Sequence, residues 1–160
     1  MSEPSTTSVT VEHVTIRSTR DFDTVRRALE GALPPLDHGY AALVQAGRAE
    51  EALRLLESGA PLSIFGARDH GALLRIAGLE RRAIQYDIGN PLTASRMTRH
   101  ALSAALYAPI RVLLRDGEDG VAFEYDRPAS TFGQFGSDAV DAVARELDAR
   151  LFETLTAAAG

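Results

Sequence analysis

His70, Arg111 and Asn90 are the residues whose types could together perform acid–base chemistry on an anionic substrate. An imidazole can move a proton near neutral pH, a guanidinium can stabilise developing negative charge, and a side-chain amide can orient the reacting group. Each also has an ordinary structural use. Asp69-His70-Gly71 follows a short apolar run, where Asp69 suits a helix cap and His70 a bond to backbone. In Gly89-Asn90-Pro91 the three residues supply permissive dihedrals, an amide that can bond the main chain, and a fixed φ, which together make a sharp turn into a helix.

Strand alternation widens the candidate set. If Ile84, Tyr86 and Ile88 face a core, Gln85 and Asp87 face away from it; by the same rule Arg111 and Arg115 oppose Ile110, Val112 and Leu114, and Glu124 and Asp126 oppose Val121, Phe123 and Tyr125. One sheet face then presents Asp87, Arg111 and Glu124, either as cross-strand ion pairs on a wet surface or as the polar lining of a groove. The recognition set for a small polar ligand is His70, Tyr86, Asp87, Asn90, Arg111 and Glu124. His13 and His38 read as surface or packing residues.

Other chemistries lack their motifs. Met97 and His100 stand at i and i+3, a spacing that offers sulfur and nitrogen to a metal or haem without the remaining ligands, so core packing of Met97 and exposure of His100 are expected. His70 and His100 have no third partner for zinc. Ser95 and Ser103 sit in no nucleophile elbow, and Gly66, Gly71 and Gly78 form no phosphate or dinucleotide loop, so no nucleotide cofactor is indicated. The absence of cysteine removes disulfides and thiolate chemistry.

The chain that must position these groups has 160 residues, 45% hydrophobic and 24% charged, a composition for one folded domain. A net charge of -5 and a pI near 5.3 argue against an extended nucleic-acid surface. No run approaches the roughly 20 apolar residues of a membrane span, and the polar start lacks a signal core, so a cytoplasmic protein is expected, with residues 1–8 a tail and 9–157 the domain. Self-association as a homodimer is expected through a short edge strand or the segment after the first helix.

Periodicity predicts a strand over 9–17, a helix capped by Asp21 and ended by Pro34-Pro35, and a second helix over 47–58, with 36–47 able to hold another. Short strands follow at 62–66 and 84–88, then a hairpin whose strands flank Asp116-Gly117-Glu118-Asp119-Gly120. The last helix starts at Ser137 or Asp138. Val140, Val143, Ala144, Leu147, Leu151, Phe152 and Leu155 form its apolar face, with Asp141, Arg145, Glu146, Asp148 and Arg150 on the wetter side.

The ordered set Ile64-Phe65-Gly66, Asp69-His70-Gly71, Gly78-Leu79, Gly89-Asn90-Pro91-Leu92-Thr93, Met97, Leu106 to Leu114, and Gly120 with Glu124 to Pro128 resembles the DUF302 family, a group of small proteins of unknown function. The resemblance is best over 62–130. It implies an α+β fold of TBP-like type, β-α-β(4)-α, with helices packed on one face of a curved antiparallel sheet. Residues 34–60 then stand as a helical insertion after the first helix. Such a topology imports no DNA binding. The resulting expectation is a small ligand-binding or protein-interaction domain, with the His70, Arg111 and Asn90 enzyme as the alternative.

Overall fold

Local stop signals cut the chain into its elements where the sequence places them. In the structure, a computed structural model describing residues 2–160, Asp21 caps α1 (Phe22–Ala32) by accepting from the Thr24 amide at 3.0 Å, and the helix ends before Pro34-Pro35. Asp69 closes β2 (Ser63–Asp69) and caps α4 (His70–Leu73), accepting from the Ala72 amide at 2.8 Å. Gly78, at φ 71°, ends the following 3-10 turn, a left-handed conformation that favours glycine. Ser137 caps the long final helix α7 (Asp138–Ala159).

The remaining elements are β1 (His13–Ser18), α2 (Gly39–Gln45), α3 (Ala49–Glu57), β3 (Arg82–Gly89), α5 (Pro91–Thr98), β4 (Ile110–Gly117), β5 (Gly120–Asp126) and α6 (Pro128–Phe132). The five strands form one sheet in the order β1-β5-β4-β3-β2, every neighbouring pair antiparallel. With α1 between β1 and β2 and α7 after β5, the chain follows the expected β-α-β(4)-α order. Both edges come from the first half of the sheet's sequence. The stretch between α1 and β2 supplies α2 and α3, and its start bridges β2 through the Leu36 amide to the Ile64 carbonyl at 2.9 Å.

Strand parity sorts the sheet as expected. Tyr86, Ile88, Val112, Leu114, Phe123 and Tyr125 are buried with Leu29 of α1 and Leu147, Leu151 and Leu155 of α7. Burying each large apolar side chain contributes about 1.5–3 kcal/mol, so this face holds the helices to the sheet. Gly71 marks the tightest approach: a Cβ there would run into the Arg81 carbonyl oxygen.

Four expectations change. The first strand begins at His13 rather than residue 9, because β5 ends at Asp126, opposite His13. Beyond that pair Glu12 is held by Ser130 and Arg127 instead, and Val9 and Val11 are exposed. Residues 2–8, within the expected tail, are exposed and carry no helix or strand; Met1 lies outside the described residues. Asp148, placed on the wet side of the last helix, is buried with Arg127 Nη1 at 3.6 Å, whereas Phe152 is exposed. Residues 128–132, unassigned from sequence, form α6, with Pro128 at its first turn where its missing N–H costs nothing.

Candidate functional site

The helix-free face brings Asp87, Arg111 and Glu124 together as alternation predicts. Asp87 stands opposite Arg111, and Glu124 opposite Leu113 on the next strand pair. Most charges here are paired. Arg68 Nη2 lies 2.8 Å from Asp87 Oδ2, and Arg68 also donates to Gln85 Oε1 at 3.1 Å. Arg115 joins Glu124 at 2.7 Å and Asp119 at 2.5 Å, and these two acceptors hold its guanidinium charged. His13 Nε2 sits 3.3 Å from Glu124 and its Nδ1 3.5 Å from Asp126. The exposed pairs among these stabilise by about 0–1 kcal/mol each, while Arg115 and Glu124 are half-buried. Arg111 differs: among the described residues no carboxylate lies within 4.0 Å of it and no hydrogen bond engages its side chain.

At the end of the same sheet the Gly89-Asn90-Pro91 turn builds a hollow of about 300 Å³. Asn90 caps α5, its Oδ1 accepting from the Leu92 and Thr93 amides at 2.8 and 3.2 Å while Nδ2 donates to the Ala60 carbonyl at 3.2 Å. That last bond ties α5 to the stretch before β2. Gly89 keeps the floor thin, since a Cβ there would touch Pro109 Cβ at 3.5 Å and Phe65 Cε1 at 3.6 Å. Buried Met97, Ile88 and Ile110 supply apolar wall, and half-buried Tyr40 of α2 also lines it. Helix α2 is placed by His38, whose Nε2 lies 3.3 Å from the Phe65 carbonyl and whose ring meets Phe65 edge-on. Asn90, Tyr40, Thr93, Ser95 and Thr98 are the polar residues of an otherwise apolar lining, with the Asn90 side chain spent on backbone and the Ser95 hydroxyl accepting from Arg99 at 3.1 Å.

The other sequence-predicted residues separate. His70 is exposed at the start of α4; Asp69 beside it pairs with Ile84, three strand residues, roughly 10 Å, from the Asp87–Arg111 pair. Arg111 lines a second hollow of about 540 Å³, which carries four charged residues among mostly apolar ones, and Asn90 the first. The structure therefore does not bring His70 to Arg111 and Asn90, and Asn90's amide is occupied by backbone. Tyr86 leaves the recognition set: it is buried on the helix face, its hydroxyl donating to Glu30 Oε1 at 2.8 Å. Burial first, then Glu30, pushes its ionisation well above the ordinary tyrosine value. Met97 is buried and His100 exposed, so their side chains occupy different surroundings. Among the described residues no group of three His, Asp or Glu side chains is arranged to hold a metal.

Sequence reasoning missed His13 and Tyr40. His13's partners lie more than a hundred positions away, and only the pairing of β1 with β5 reveals them. Tyr40 sits in a short helix whose face had no periodic signal long enough to orient it.

A family model described as "Domain of unknown function DUF302" matches residues 42–158. The match begins inside α2, so β1 and α1 precede it while β2 to β5 and nearly all of α7 fall within it. No curated protein matches the sequence. Among solved structures the fold resembles the crystal structure of an uncharacterised conserved DUF302 protein from Bacillus stearothermophilus, with a TM-score of 0.67 and 14% identity, over 91% of this chain and 97% of that one. At that identity the likeness speaks for the fold alone, and the family match speaks for descent: the chain belongs to the DUF302 family.

Proposed function

We propose that this chain is a small-ligand-binding domain whose site is the hollow at the β3–α5 turn. The observation that carries the reading is the hollow itself: about 300 Å³, the lower end of ligand-pocket sizes, lined by buried Met97, Ile88 and Ile110 and by a few hydroxyl-bearing residues. An apolar body with few polar atoms suits that lining. Native mass spectrometry of untreated protein, with identification of any retained small molecule, tests it. Retention that disappears in Ala94→Phe, which fills the hollow from α5, supports the reading; retention unchanged in that variant sinks it.

A protein-interaction role has its own observation. Leu73, Leu74, Ile76 and Leu79, in α4 and the turn after it, are exposed together, with Ile76 86% accessible. Such a cluster is the kind of surface a partner chain or a second copy would cover. Sedimentation across the micromolar range tests the homodimer form: mass rising with concentration in the native chain and not in Leu73→Ser/Ile76→Ser supports it, and a constant monomer mass refutes it.

A further inference from the structure

We infer that the ligand of this hollow carries an oxyanion head, a carboxylate or a phosphate, which Arg111 receives; the inference rests on the hollow being the binding site. Three observations converge on it. Ala108, Pro109 and Ile110 line both the first hollow and the second, charge-bearing one, so the two are neighbouring compartments that share this short stretch of chain. The rim of the first reaches the side of the sheet that carries the second, although its Ile88 and Ile110 walls belong to the helix-packed face. Gly89 has the same strand parity as Asp87, two residues or roughly 7 Å along β3, and a Cβ at Gly89 would face Pro109 and Phe65.

The charges of the second compartment single out Arg111. Its lining holds Arg68, Asp87, Arg111 and Asp126. Asp87 is neutralised by Arg68 at 2.8 Å, whereas Asp126 has only His13 at 3.5 Å, a contact that is an ion pair only when the imidazole is protonated. Arg111 stands directly opposite Asp87 across β3 and β4, yet Arg68 has taken that carboxylate from the edge strand. Among the described residues the Arg111 guanidinium is thus left without an acceptor, while its planar fork of donors matches an oxyanion. Arg111 is itself exposed, so its donors are open to an incoming anion, with Leu106 and Tyr107 beside it in the same lining.

The result is a site for an amphiphilic anion: apolar body against Tyr40 and Met97, head carried over Pro109 to Arg111. Titration calorimetry at low salt with octanoate, octyl phosphate, octanol and octylammonium, below their aggregation concentrations, tests it. A charge-assisted hydrogen bond predicts that at least one of the two anions binds about tenfold or more tighter than octanol, with octylammonium weakest. Whichever anion binds tighter identifies the head. Arg111→Gln should bring that anion to within about twofold of octanol without weakening octanol, and Arg111→Lys should retain part of the preference. Arg145→Gln, an equal charge change on the exposed side of α7, should leave the preference intact. Octanol binding as tightly as both anions in the native chain, or an anion preference that survives Arg111→Gln, overturns the inference while leaving the hollow in place. Failure of octanol and both anions to bind removes the hollow as the site, and this inference with it.

Discussion

Replacing Asn90 with alanine separates its role as a structural cap from any part in chemistry. The side chain makes three bonds to backbone: two accepted from the first turn of α5 and one donated to Ala60 before β2. Loss of an asparagine N-cap costs about 1 kcal/mol, and loss of the amide bond to a part-buried carbonyl about 1 kcal/mol more. The total of about 2 kcal/mol corresponds to a fall in melting temperature of about 4–8 °C for a chain of this size. Asn90→Asp retains the acceptor that caps α5 but loses the donor to Ala60 and sets a carboxylate against that carbonyl. It should therefore recover only part of the loss. Urea denaturation of both variants, with melting followed by circular dichroism, gives the comparison. An Asn90→Ala protein within about 0.5 kcal/mol of the native chain would refute the claim that this residue builds the turn.

Tyr86→Phe removes the hydroxyl bonded to Glu30 and should cost about 1 kcal/mol near neutral pH. Because the folded phenol ionises above its ordinary value near 10, its contribution is complete below that pH and is lost as pH rises beyond it. The stability gap between native and variant chains, read from urea curves, should therefore shrink above pH 10. Glu146→Gln breaks the paired bonds from Arg96 at 2.9 and 3.2 Å. Arg96 holds that carboxyl below its ordinary range, so the contribution is present above about pH 4.3 and lost as pH falls through the lowered value. The variant's deficit should fade in acid and in molar salt. Gly71→Ala, forced against the Arg81 carbonyl, should destabilise by about 1–3 kcal/mol, with a lower urea midpoint as the readout.

The parts legible in the sequence are those that local chemistry dictates. Asp21, Asp69, Asn90 and Ser137 each cap the helix that follows, because a short acceptor before an apolar run meets free amides within three residues. The Gly117 to Gly120 turn joins β4 to β5 with Gly120 at φ 91°, as the run of Asp and Gly implied. Alternation placed Asp87, Arg111 and Glu124 on one face, since a period of two needs no tertiary knowledge. What it could not supply was which neighbour each charge would choose. Arg68 reaches Asp87 only because β2 slips by a bulge between Ile64 and Gly66, and His13 reaches Glu124 only because β1 lies beside β5. Asp148 is buried because Arg127 at the end of β5 meets it, a contact absent from any helical wheel. The hollow was the least legible feature: Tyr40, Phe65, Met97 and Pro109 come from four segments, and no local pattern encodes their meeting.

The sequence contains two methionines, Met97 in the wall of the hollow and Met1 at the start of the chain. Selective methyl labelling therefore places a single reporter inside the proposed site. Titrating octanol into the labelled protein should move the Met97 methyl resonance saturably, with matching shifts in the Gly89 and Ala94 amides, and Ala94→Phe should abolish the response. A Met97 signal that stays fixed while shifts gather at Leu73 to Leu79 would contradict a ligand site at the β3–α5 turn.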